Sequence, residues 1–500
     1  MKLAVLADAH LPHDSDTAQD AALSWALQVA GNSRVNCAIM AGDMTAAGEA
    51  AAARRMVESC RESGVSWLST PGNAELRTPE DARAVCEMLT VWDETCPVVL
   101  VDTSRGTVPE AERERVEHRL VPSPVVLVTH WPPDELPEDD RVWFEQLVAG
   151  SSLELLIVGH KHFDEIRTFG GKPLHLIRGL DPDKAKHDLP AMALFERAGG
   201  TWSRQDIGFP GGDPRLWPAE SKQAFLDLLG VSTMGEPVAG TREAAERGVR
   251  AIELRAEPAL AADHAELQEA VAAWRASGGQ CLSMHLPNLR WDEASQAPAE
   301  TEGHAAAVAL ALELGVDRVT GHVPRVSVRA LGQPEVRETM LALFASELAP
   351  LAAAGVVIGI ENMHRNRGEP ADDRRGFGYL PDECLDWVEE LRPRLAGAAI
   401  GLHLDIGHAR NNSPFSQSWT LGRWYAAVGQ ATVGYHLHQV TAKGNHQPFV
   451  TPFAPLLSLA SFFWGWESGQ LEHAPMFLEI RGESGCISWQ RLRNFLLSES

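Results

Sequence analysis

The amino-acid sequence predicts an α/β protein of two domains, the second of which is a closed (β/α)8 barrel. In roughly the first 200 residues, short apolar runs alternate with Ala-rich stretches of helical character. Further along the chain, a strand followed by a helix recurs about eight times. The chain has 500 residues, which is more than one hydrophobic core usually serves, so more than one domain is expected.

The apolar runs of the first part are predicted to be the strands of an open α/β sheet. They cover residues 2–7, 37–41, 66–69, 98–101, 125–129, 155–158, 174–177 and 191–195. A Gly/Pro-rich stretch at residues 208–214 interrupts the pattern and marks a boundary. We therefore expect a first domain over residues 1–207, a linker over 208–220 and a second domain over 221–500.

The second part has the rhythm of a barrel. Its predicted strands cover residues 229–234, 251–254, 281–284, 318–320, 356–360, 400–404, 433–437 and 476–480, with helices between most of them. Eight such units in the available length suit a closed (β/α)8 barrel, whose active site lies at the carboxyl ends of the strands.

Composition limits the classes of function and the location. The formal charge is -24, which disfavours a large nucleic-acid footprint without excluding a small basic cleft, so a small phosphorylated substrate is the expected partner. The 7 cysteines are scattered and form no CxxC pair, as in a cytoplasmic protein with reduced thiols. The apolar start ends at Asp8 without a cleavage site, and no stretch is long enough to span a membrane.

A first set of possible metal ligands follows the predicted strands of the first domain. The set consists of Asp8, His10, Asp43, Asn73, His130, His160 and His162. Carboxylates mixed with imidazoles suit divalent Mn, Fe, Zn, Ni or Co, which polarise bound groups and lower the pKa of bound water. Because open α/β sheets bind ligands at strand ends, these side chains are expected to meet in one cleft.

The order Asp-x-His, Gly-Asp, Gly-Asn, His, Gly-His-x-His resembles the calcineurin-like metallophosphoesterase family over roughly the first 200 residues. The resemblance implies a four-layer α/β sandwich with a dinuclear centre and phosphoesterase activity. It also implies a catalytic role for Asp43 as the bridge between the two metals. One metal would be held by Asp8, His10 and His162, and the other by Asn73, His130 and His160.

The chain departs from this family at Ala74. Where the family reads Gly-Asn-His followed by an acid, the sequence reads Gly72-Asn73-Ala74-Glu75. Losing a general acid costs about 10²- to 10⁴-fold for a poor leaving group and little for an acidic one. Phosphodiesters or activated esters are therefore the expected substrates, and a domain that keeps its ligands without turnover is the alternative.

A second set of possible ligands follows the predicted barrel strands. It consists of His285, His322, Glu361, Asp405, His408, His436, His446 and Glu479. Glu361 and Glu479 lie inside strongly apolar strands, and a buried carboxylate needs a metal or another partner. These two glutamates are the strongest candidates in the second domain.

The segments around these residues resemble the xylose isomerase-like superfamily, which includes sugar isomerases and epimerases and the endonuclease IV group. The segments are Gly-Ile-Glu-Asn at 359–362, Leu-Asp-Ile-Gly-His at 404–408, His-Leu-His at 436–438 and Phe-Leu-Glu at 477–479. The isomerase members imply one metal held by Glu361, Asp405, His436 and Glu479. Glu361 and Glu479 would then also move protons beside a carbonyl group.

Three further histidines leave the number of metals open between one and three. His285, His322 and His446 fall where the endonuclease IV group has additional zinc ligands. That group also has an aspartate two residues before its last histidine, where this chain has Gly444. A site with one or two metals is therefore an equal alternative to three.

Three more residues are candidates for substrate binding. They are His438, Lys443 and Arg481, the last two as cations for a substrate phosphate. The leading hypothesis is a bifunctional enzyme that joins a phosphoesterase to an isomerase- or epimerase-like barrel acting on small phosphorylated metabolites. The alternatives are a nucleic-acid phosphodiesterase with an endonuclease IV-like barrel, and a metal-dependent scaffold protein without turnover.

Overall fold

The computed structural model describes residues 1–120, 125–299, 303–395, 397–454 and 456–499. The chain divides into two compact units. The N-terminal unit comprises Met1–Asp213 and Ser458–Trp464, and the barrel unit comprises Pro214–Leu457 and Gly465–Ser500. The division after Asp213 falls inside the stretch 208–220 that the sequence assigned to a linker.

The N-terminal unit alternates strands and helices over most of its length. The strands are β1 (Lys2–Leu6), β2 (Cys37–Ala41), β3 (Trp67–Thr70), β4 (Val98–Val101), β5 (Val126–Thr129), β6 (Leu155–Val158), β7 (Glu165–Phe169), β8 (Lys172–Leu176), β9 (Ala191–Ala198) and β10 (Thr201–Gly208). The helices are α1 (Ala18–Asn32), α2 (Ala50–Ser63), α3 (Ala82–Leu89), α4 (Glu110–Leu120) and α5 (Glu138–Ala149). Strands β7 and β10 were not predicted.

These strands form two mixed sheets, in the orders β10-β9-β1-β2-β3 and β4-β5-β6-β8-β7. Residues alternate between the two faces of each strand, so β1 directs Leu3 and Val5 into a core shared with Val126 and Val128 of β5. The opposite face of the first sheet packs against α1, α2 and α3, and that of the second packs against α4 and α5. The unit is therefore built of four layers, with helices outside two facing sheets.

The barrel unit begins with helix α6 and adds one strand and one or more helices in each repeat. Its strands are β11 (Leu229–Ser232), β12 (Ala251–Arg255), β13 (Cys281–His285), β14 (Trp291–Asp292), β15 (Ala297–Pro298), β16 (Arg318–His322), β17 (Val357–Glu361), β18 (Ile400–Asp405), β19 (Thr432–Leu437), β20 (Gln439–Thr441), β21 (Gly444–Gln447) and β22 (Met476–Leu478). Its helices are α6 (Ala219–Leu228), α7 (Pro237–Arg247), α8 (Ala256–Ala261), α9 (His264–Ala276), α10 (His304–Glu313), α11 (Val328–Leu331), α12 (Pro334–Ala353), α13 (Pro381–Leu391), α14 (Ile406–Arg410), α15 (Leu421–Val428) and α17 (Gly485–Leu497), while α16 (Ala460–Glu467) begins in the N-terminal unit.

Eight parallel strands close the barrel in the order β11-β12-β13-β16-β17-β18-β19-β22. The predicted (β/α)8 barrel is confirmed, with all eight strands within a few residues of their predicted bounds. β20 and β21 form a separate hairpin after β19. Because the eight strands are parallel, their carboxyl ends meet at one mouth, which brings together side chains from distant parts of the sequence.

Two further observations concern the helices and the cysteines. None of the helices in the described ranges combines the length and apolar character that crossing a bilayer requires. The cysteines at 37, 60, 86, 96, 281, 384 and 486 are all free thiols.

Candidate metal centres

The first set of predicted ligands converges in the N-terminal unit. Asp8 and His10 follow β1, Asp43 follows β2, and Asn73 follows β3. From the second sheet, His130 follows β5, while His160 and His162 follow β6. The carboxyl ends of strands from both facing sheets therefore supply one site, and all seven predicted residues lie in it.

These side chains form two groups that meet at Asp43. In the first group, Oδ1 of Asp8 lies 3.5 Å from Nε2 of His162 and 3.9 Å from Nε2 of His10. One oxygen of Asp43 lies 3.7 Å from Nε2 of His10, and the other lies 3.3 Å from Nε2 of His130. The Asp43 carboxylate thus reaches both groups, which is the arrangement of a shared ligand.

The second group combines Asp43 with Asn73, His130 and His160. Nδ1 of His130 donates to the carbonyl oxygen of Ala41 at 2.9 Å, which leaves Nε2 free to bind a cation in the neutral ring. That Nε2 atom lies 3.3 Å from Oδ1 of Asn73 and 3.2 Å from Nδ1 of His160. Three atoms with lone pairs, Nε2 of His130, Oδ1 of Asn73 and Nδ1 of His160, therefore face one another, as metal ligands do around a cation.

Backbone conformation supports a functional role for these positions. Of the eleven non-glycine residues with positive φ in the described chain, six are predicted ligands: Asp8, His10, Asp43, His160, His162 and His446. Left-handed backbone is unfavourable for such residues and concentrates where a site requires it. Gly42 and Gly72 provide space here, since a Cβ atom at Gly72 would lie 2.3 Å from Oδ1 of Asp43.

The residues fit divalent cations by two criteria. Oδ1 of Asp8 and Nε2 of His10 are buried and have no hydrogen-bond partner in the described chain. Burial raises the pKa of Asp8 to about 8, because a carboxylate removed from water is costly to charge. A bound cation would remove both penalties, since it would bind these atoms and stabilise the carboxylate.

The Ala74-Glu75 pair has a structural role. The Glu75 carboxylate accepts hydrogen bonds from the backbone N–H groups of Asp43, Thr45 and Gly72 at 3.1, 2.8 and 2.7 Å. Burial, and then the charge of Asp43, raise the pKa of Glu75 to about 7. Ala74 is fully buried, and its N–H donates to Oδ1 of Asp43 at 2.7 Å. The fully buried Glu75 therefore holds the loops of the candidate ligands together.

The second set of ligands converges at the mouth of the barrel in three groups. Within each group the candidate ligand atoms lie within 4.8 Å of one another. The groups are His285, His322 and Glu361; then Glu361, Asp405, His436 and Glu479; then His408, His438 and His446. Every barrel residue predicted to bind a metal belongs to one of them, and Glu361 belongs to two.

Glu361, at the end of β17, lies between two pairs of imidazoles. Its Oε2 atom lies 3.0 Å from Nε2 of His285 and 3.3 Å from Nε2 of His322. Its Oε1 atom lies 3.2 Å from Nδ1 of His436 and 3.4 Å from Nδ1 of His408. A carboxylate with ligand nitrogens on both oxygens has the geometry of a bridge between two cations.

Glu479 closes the central group on the opposite side of His436. Its Oε2 atom lies 3.4 Å from Nδ1 of His436, while Oε1 forms an ion pair with Nη2 of Arg255 at 2.7 Å. Burial opposes ionisation of Glu479, but Arg255 and then His436 lower its pKa to about 2. Arg255 was not predicted, and it places a cation beside the central group.

The third group contains His438 together with His408 and His446. His438 was assigned to substrate binding, but it is fully buried beside Asp405, with 3.0 Å between Nε2 and Oδ1. Its Nδ1 atom accepts a hydrogen bond from the His446 N–H at 2.9 Å. His438 therefore lies among the candidate metal ligands, and its role in substrate binding stays a prediction.

Glu253, in the middle of β12, was missed by the sequence analysis. It accepts a hydrogen bond from Nε2 of His436 at 2.8 Å, which directs Nδ1 of the ring toward Glu361 and Glu479. Burial raises the pKa of Glu253, and the charge of His436 lowers it. The resulting pKa of Glu253 is below its ordinary value. The hydrogen bond fixes the ring orientation, as carboxylates behind ligand histidines commonly do.

Replacing Glu253 by glutamine is expected to weaken metal binding by about 10- to 100-fold, the usual cost of losing an outer partner of a ligand histidine. Equilibrium dialysis with Zn²⁺ followed by elemental analysis measures the change. Glu335→Gln is the matched control, because Glu335 is exposed on α12. Equal affinities in the two variants would mean that Glu253 does not orient His436.

The two predicted substrate cations lie at the rim. Lys443 is exposed in the turn between β20 and β21. Arg481 is also exposed and borders a cavity of about 620 Å³ at the ends of β11 and β22. Met234 and Ile480 provide apolar parts of this cavity wall. Substrate binding by these two cations stays a prediction.

Comparison with known proteins places the barrel in a described family. The profile of the xylose isomerase-like TIM barrel matches residues 241–494. A putative xylose isomerase from Rhodospirillum rubrum shares 16% identity over 54% of this chain and 97% of its own, with a TM-score of 0.42.

Two other matches cover different parts of the chain. A dimetal phosphatase from Danio rerio shares 13% identity over 42% of this chain and 96% of its own, with a TM-score of 0.34. A probable glucan endo-1,3-beta-glucosidase from Aspergillus niger is 34% identical over 71 residues, which is 14% of this chain. The match spans only 15% of the length of that curated relative.

Proposed function

We propose that this chain, which belongs to the xylose isomerase-like TIM barrel family, is a bifunctional metal-dependent enzyme. The barrel unit cleaves phosphodiester bonds at a centre of up to three divalent cations. The N-terminal unit is a calcineurin-like dinuclear phosphoesterase. Both act on small phosphorylated substrates.

The position of Glu361 carries the proposal for the barrel. A site for one metal would use Glu361 with Asp405, His436 and Glu479, and His285 and His322 would then only contact Glu361 as outer partners. Both histidines direct Nε2 at Oε2 of Glu361, at 3.0 and 3.3 Å, and Nδ1 of His285 donates to the carbonyl oxygen of Leu286 at 3.1 Å. This arrangement favours a second cation beside the first.

Divalent cations held in these groups would act as Lewis acids on phosphoryl oxygens and promote formation of a hydroxide nucleophile. The chain's own residues contribute orientation and charge. Glu253 fixes His436, and Arg255 places a positive charge 2.7 Å from Glu479, at the edge of the central group. Arg255 is thus positioned to attract an anionic substrate.

Replacing both His285 and His322 by alanine tests this proposal. In the Asp43→Asn background, which lacks the shared ligand of the N-terminal unit, we expect the barrel to hold about three metals and the double variant to lose at least one. Hydrolysis of bis(p-nitrophenyl) phosphate should fall at least about 100-fold. Replacing a residue that hydrogen-bonds a metal ligand lowers activity by up to about 100-fold, and loss of a ligand should cost no less. Elemental analysis and a steady-state assay measure the two effects.

The control for this experiment is His264→Ala, because His264 lies on the barrel surface in α9 with its side chain half exposed. Unchanged metal content in the double variant would contradict a multinuclear barrel. Retained isomerisation of a ketose by that variant would then support the second candidate function.

The second candidate for the barrel is a sugar or sugar-phosphate isomerase or epimerase. The specific observation in its favour is that Glu361 and Glu479 both contact His436, at 3.2 and 3.4 Å, so that two carboxylates line one metal site. Two such groups beside a polarised carbonyl would remove a proton from carbon and return it. This candidate uses only the central group of ligands.

The proposal for the N-terminal unit rests on Asp43, whose two oxygens face different histidines at 3.7 and 3.3 Å. A shared carboxylate of this kind suits two cations that bind the attacking and leaving oxygens of a phosphate ester. The net charge of -24 supports small substrates over long nucleic acids. The free cysteines support a cytoplasmic location.

A further inference from the structure

Arg77 lies at the edge of the dinuclear group in the N-terminal unit and has no role in the proposal above. It is half-buried, four residues after Asn73, and its Nη1 atom donates to the carbonyl oxygen of Ala46 at 2.6 Å. This hydrogen bond fixes the guanidinium at the site. Its Nη2 atom lies 3.3 Å from the amide of Asn73, so the guanidinium is close to the proposed cations.

The amide of Asn73 connects Arg77 to the metal ligands. Its Oδ1 atom lies 3.1 Å from Nδ1 of His160 and 3.3 Å from Nε2 of His130. Without a cation, the reversed amide would be favoured, because its NH₂ group would donate to both rings. A cation selects the orientation with oxygen toward the rings, since all three atoms then act as ligands.

In that orientation the NH₂ group of Asn73 faces Arg77. Nδ2 of Asn73 and Nη2 of Arg77 lie 3.3 Å apart, and neither donates a hydrogen bond to another side chain or carbonyl in the described ranges. Two adjacent donors are unfavourable together unless an acceptor binds both. An anionic oxygen is the strongest acceptor for such a pair.

We infer that Arg77 and the amide of Asn73 bind a phosphoryl oxygen of the substrate beside the dinuclear centre. This inference rests on the proposed phosphoesterase function and assigns to Arg77 the phosphate-orienting role of the histidine replaced by Ala74. Ala74 itself has no free group for this role, because its methyl is buried and its N–H is bonded to Asp43.

The replacement has a consequence for substrate choice. A guanidinium stays protonated at any physiological pH, so it binds and orients phosphate without donating a proton to the leaving group. The N-terminal unit should therefore favour esters whose leaving group departs as a stable anion, such as aryl phosphodiesters, over simple alkyl monoesters.

Titration of the Mn²⁺-loaded full chain with inorganic phosphate by calorimetry tests the inference. The difference in phosphate binding between wild type and Asp43→Asn gives the contribution of the N-terminal unit. We expect Arg77→Ala to weaken that contribution by about 10- to 100-fold, the range for losing a hydrogen bond to a charged group. Arg77→Lys should weaken it less, because the charge remains while the planar donor pair is lost.

The matched control is Arg54→Ala, which removes the same charge from an exposed position on α2. Manganese content should be the same in wild type, Arg54→Ala and Arg77→Ala. With a series of aryl phosphodiesters in the Glu361→Gln background, which inactivates the barrel, the loss in kcat/KM for Arg77→Ala should be uniform across leaving groups. A loss that grows with leaving-group pKa would overturn the inference, because it would identify Arg77 as acting through proton transfer.

Two other outcomes separate the inference from the function on which it rests. If Asp43→Asn loses phosphate binding and Arg77→Ala binds like Arg54→Ala, Arg77 does not contact phosphate, although the phosphoesterase proposal stands. If Asp43→Asn binds phosphate as tightly as wild type, the phosphoesterase proposal itself fails, and the inference fails with it.

Discussion

Replacing Glu361 by glutamine is expected to abolish the activity of the barrel unit and to release metal from two of its three ligand groups. The carboxylate is fully buried and lies 3.0 to 3.4 Å from ligand nitrogens on both of its oxygens. Glutamine keeps the size of the side chain but loses the negative charge that offsets the cations. Replacing a residue that only hydrogen-bonds a metal ligand lowers activity by about 10- to 100-fold. Because Glu361 is itself a candidate ligand, we expect a fall of at least about 10³-fold in kcat/KM of the barrel.

Two measurements on the Glu361→Gln variant distinguish a metal-binding role from general destabilisation. Elemental analysis should show at least one metal fewer than in Glu335→Gln, which makes the same chemical change at an exposed position. Thermal unfolding without metals should show no large loss of stability, because a neutral side chain at position 361 has no buried charge to desolvate. Full metal content with normal turnover would contradict a bridging role for Glu361.

The strands that were predicted and those that were missed differ in burial. The core strands, such as β5 and β6 or the eight strands of the barrel, are short apolar runs that end in turns or polar ligands, so local pattern identifies them. β7 and β10 lie at sheet edges and alternate exposed with less exposed residues. Their polar composition resembles that of loops, and only pairing with β8 and β9 makes them strands.

The candidate sites show the same dependence on tertiary contacts. Ligands at strand ends could be predicted because closed barrels and α/β sheets gather those ends. Glu253 offered the signal used for Glu361 and Glu479, a carboxylate inside an apolar strand, and could have been found by that rule. The contacts of His438 and the role proposed for Arg77 could not, since the former depend on the hairpin that brings His446 near and the latter on the orientation of the Asn73 amide.

Replacing Asp43 by asparagine is expected to abolish phosphoester hydrolysis by the N-terminal unit while leaving the barrel's metals in place. The Asp43 side chain serves both ligand groups and also accepts the Ala74 N–H at 2.7 Å. Asparagine can still accept that hydrogen bond, so the loop should keep its conformation, but a neutral amide is a poor bridge between two cations. We expect kcat/KM of the N-terminal unit to fall by at least about 10³-fold. This is more than the loss of about 10- to 100-fold for a residue that only hydrogen-bonds a metal ligand.

The comparison of Asp43→Asn with Glu361→Gln assigns each activity to its unit. Asp139→Asn is the control for Asp43→Asn, because Asp139 is exposed on α5. Each active-site variant should lose metals only from its own unit, and bis(p-nitrophenyl) phosphate hydrolysis should fall to background only when both substitutions are combined. Background activity in Asp43→Asn alone would show that the barrel does not hydrolyse phosphodiesters, and its two central glutamates would then serve proton transfer in an isomerase. Undiminished activity in Asp43→Asn would instead make the N-terminal unit a metal-binding domain without turnover.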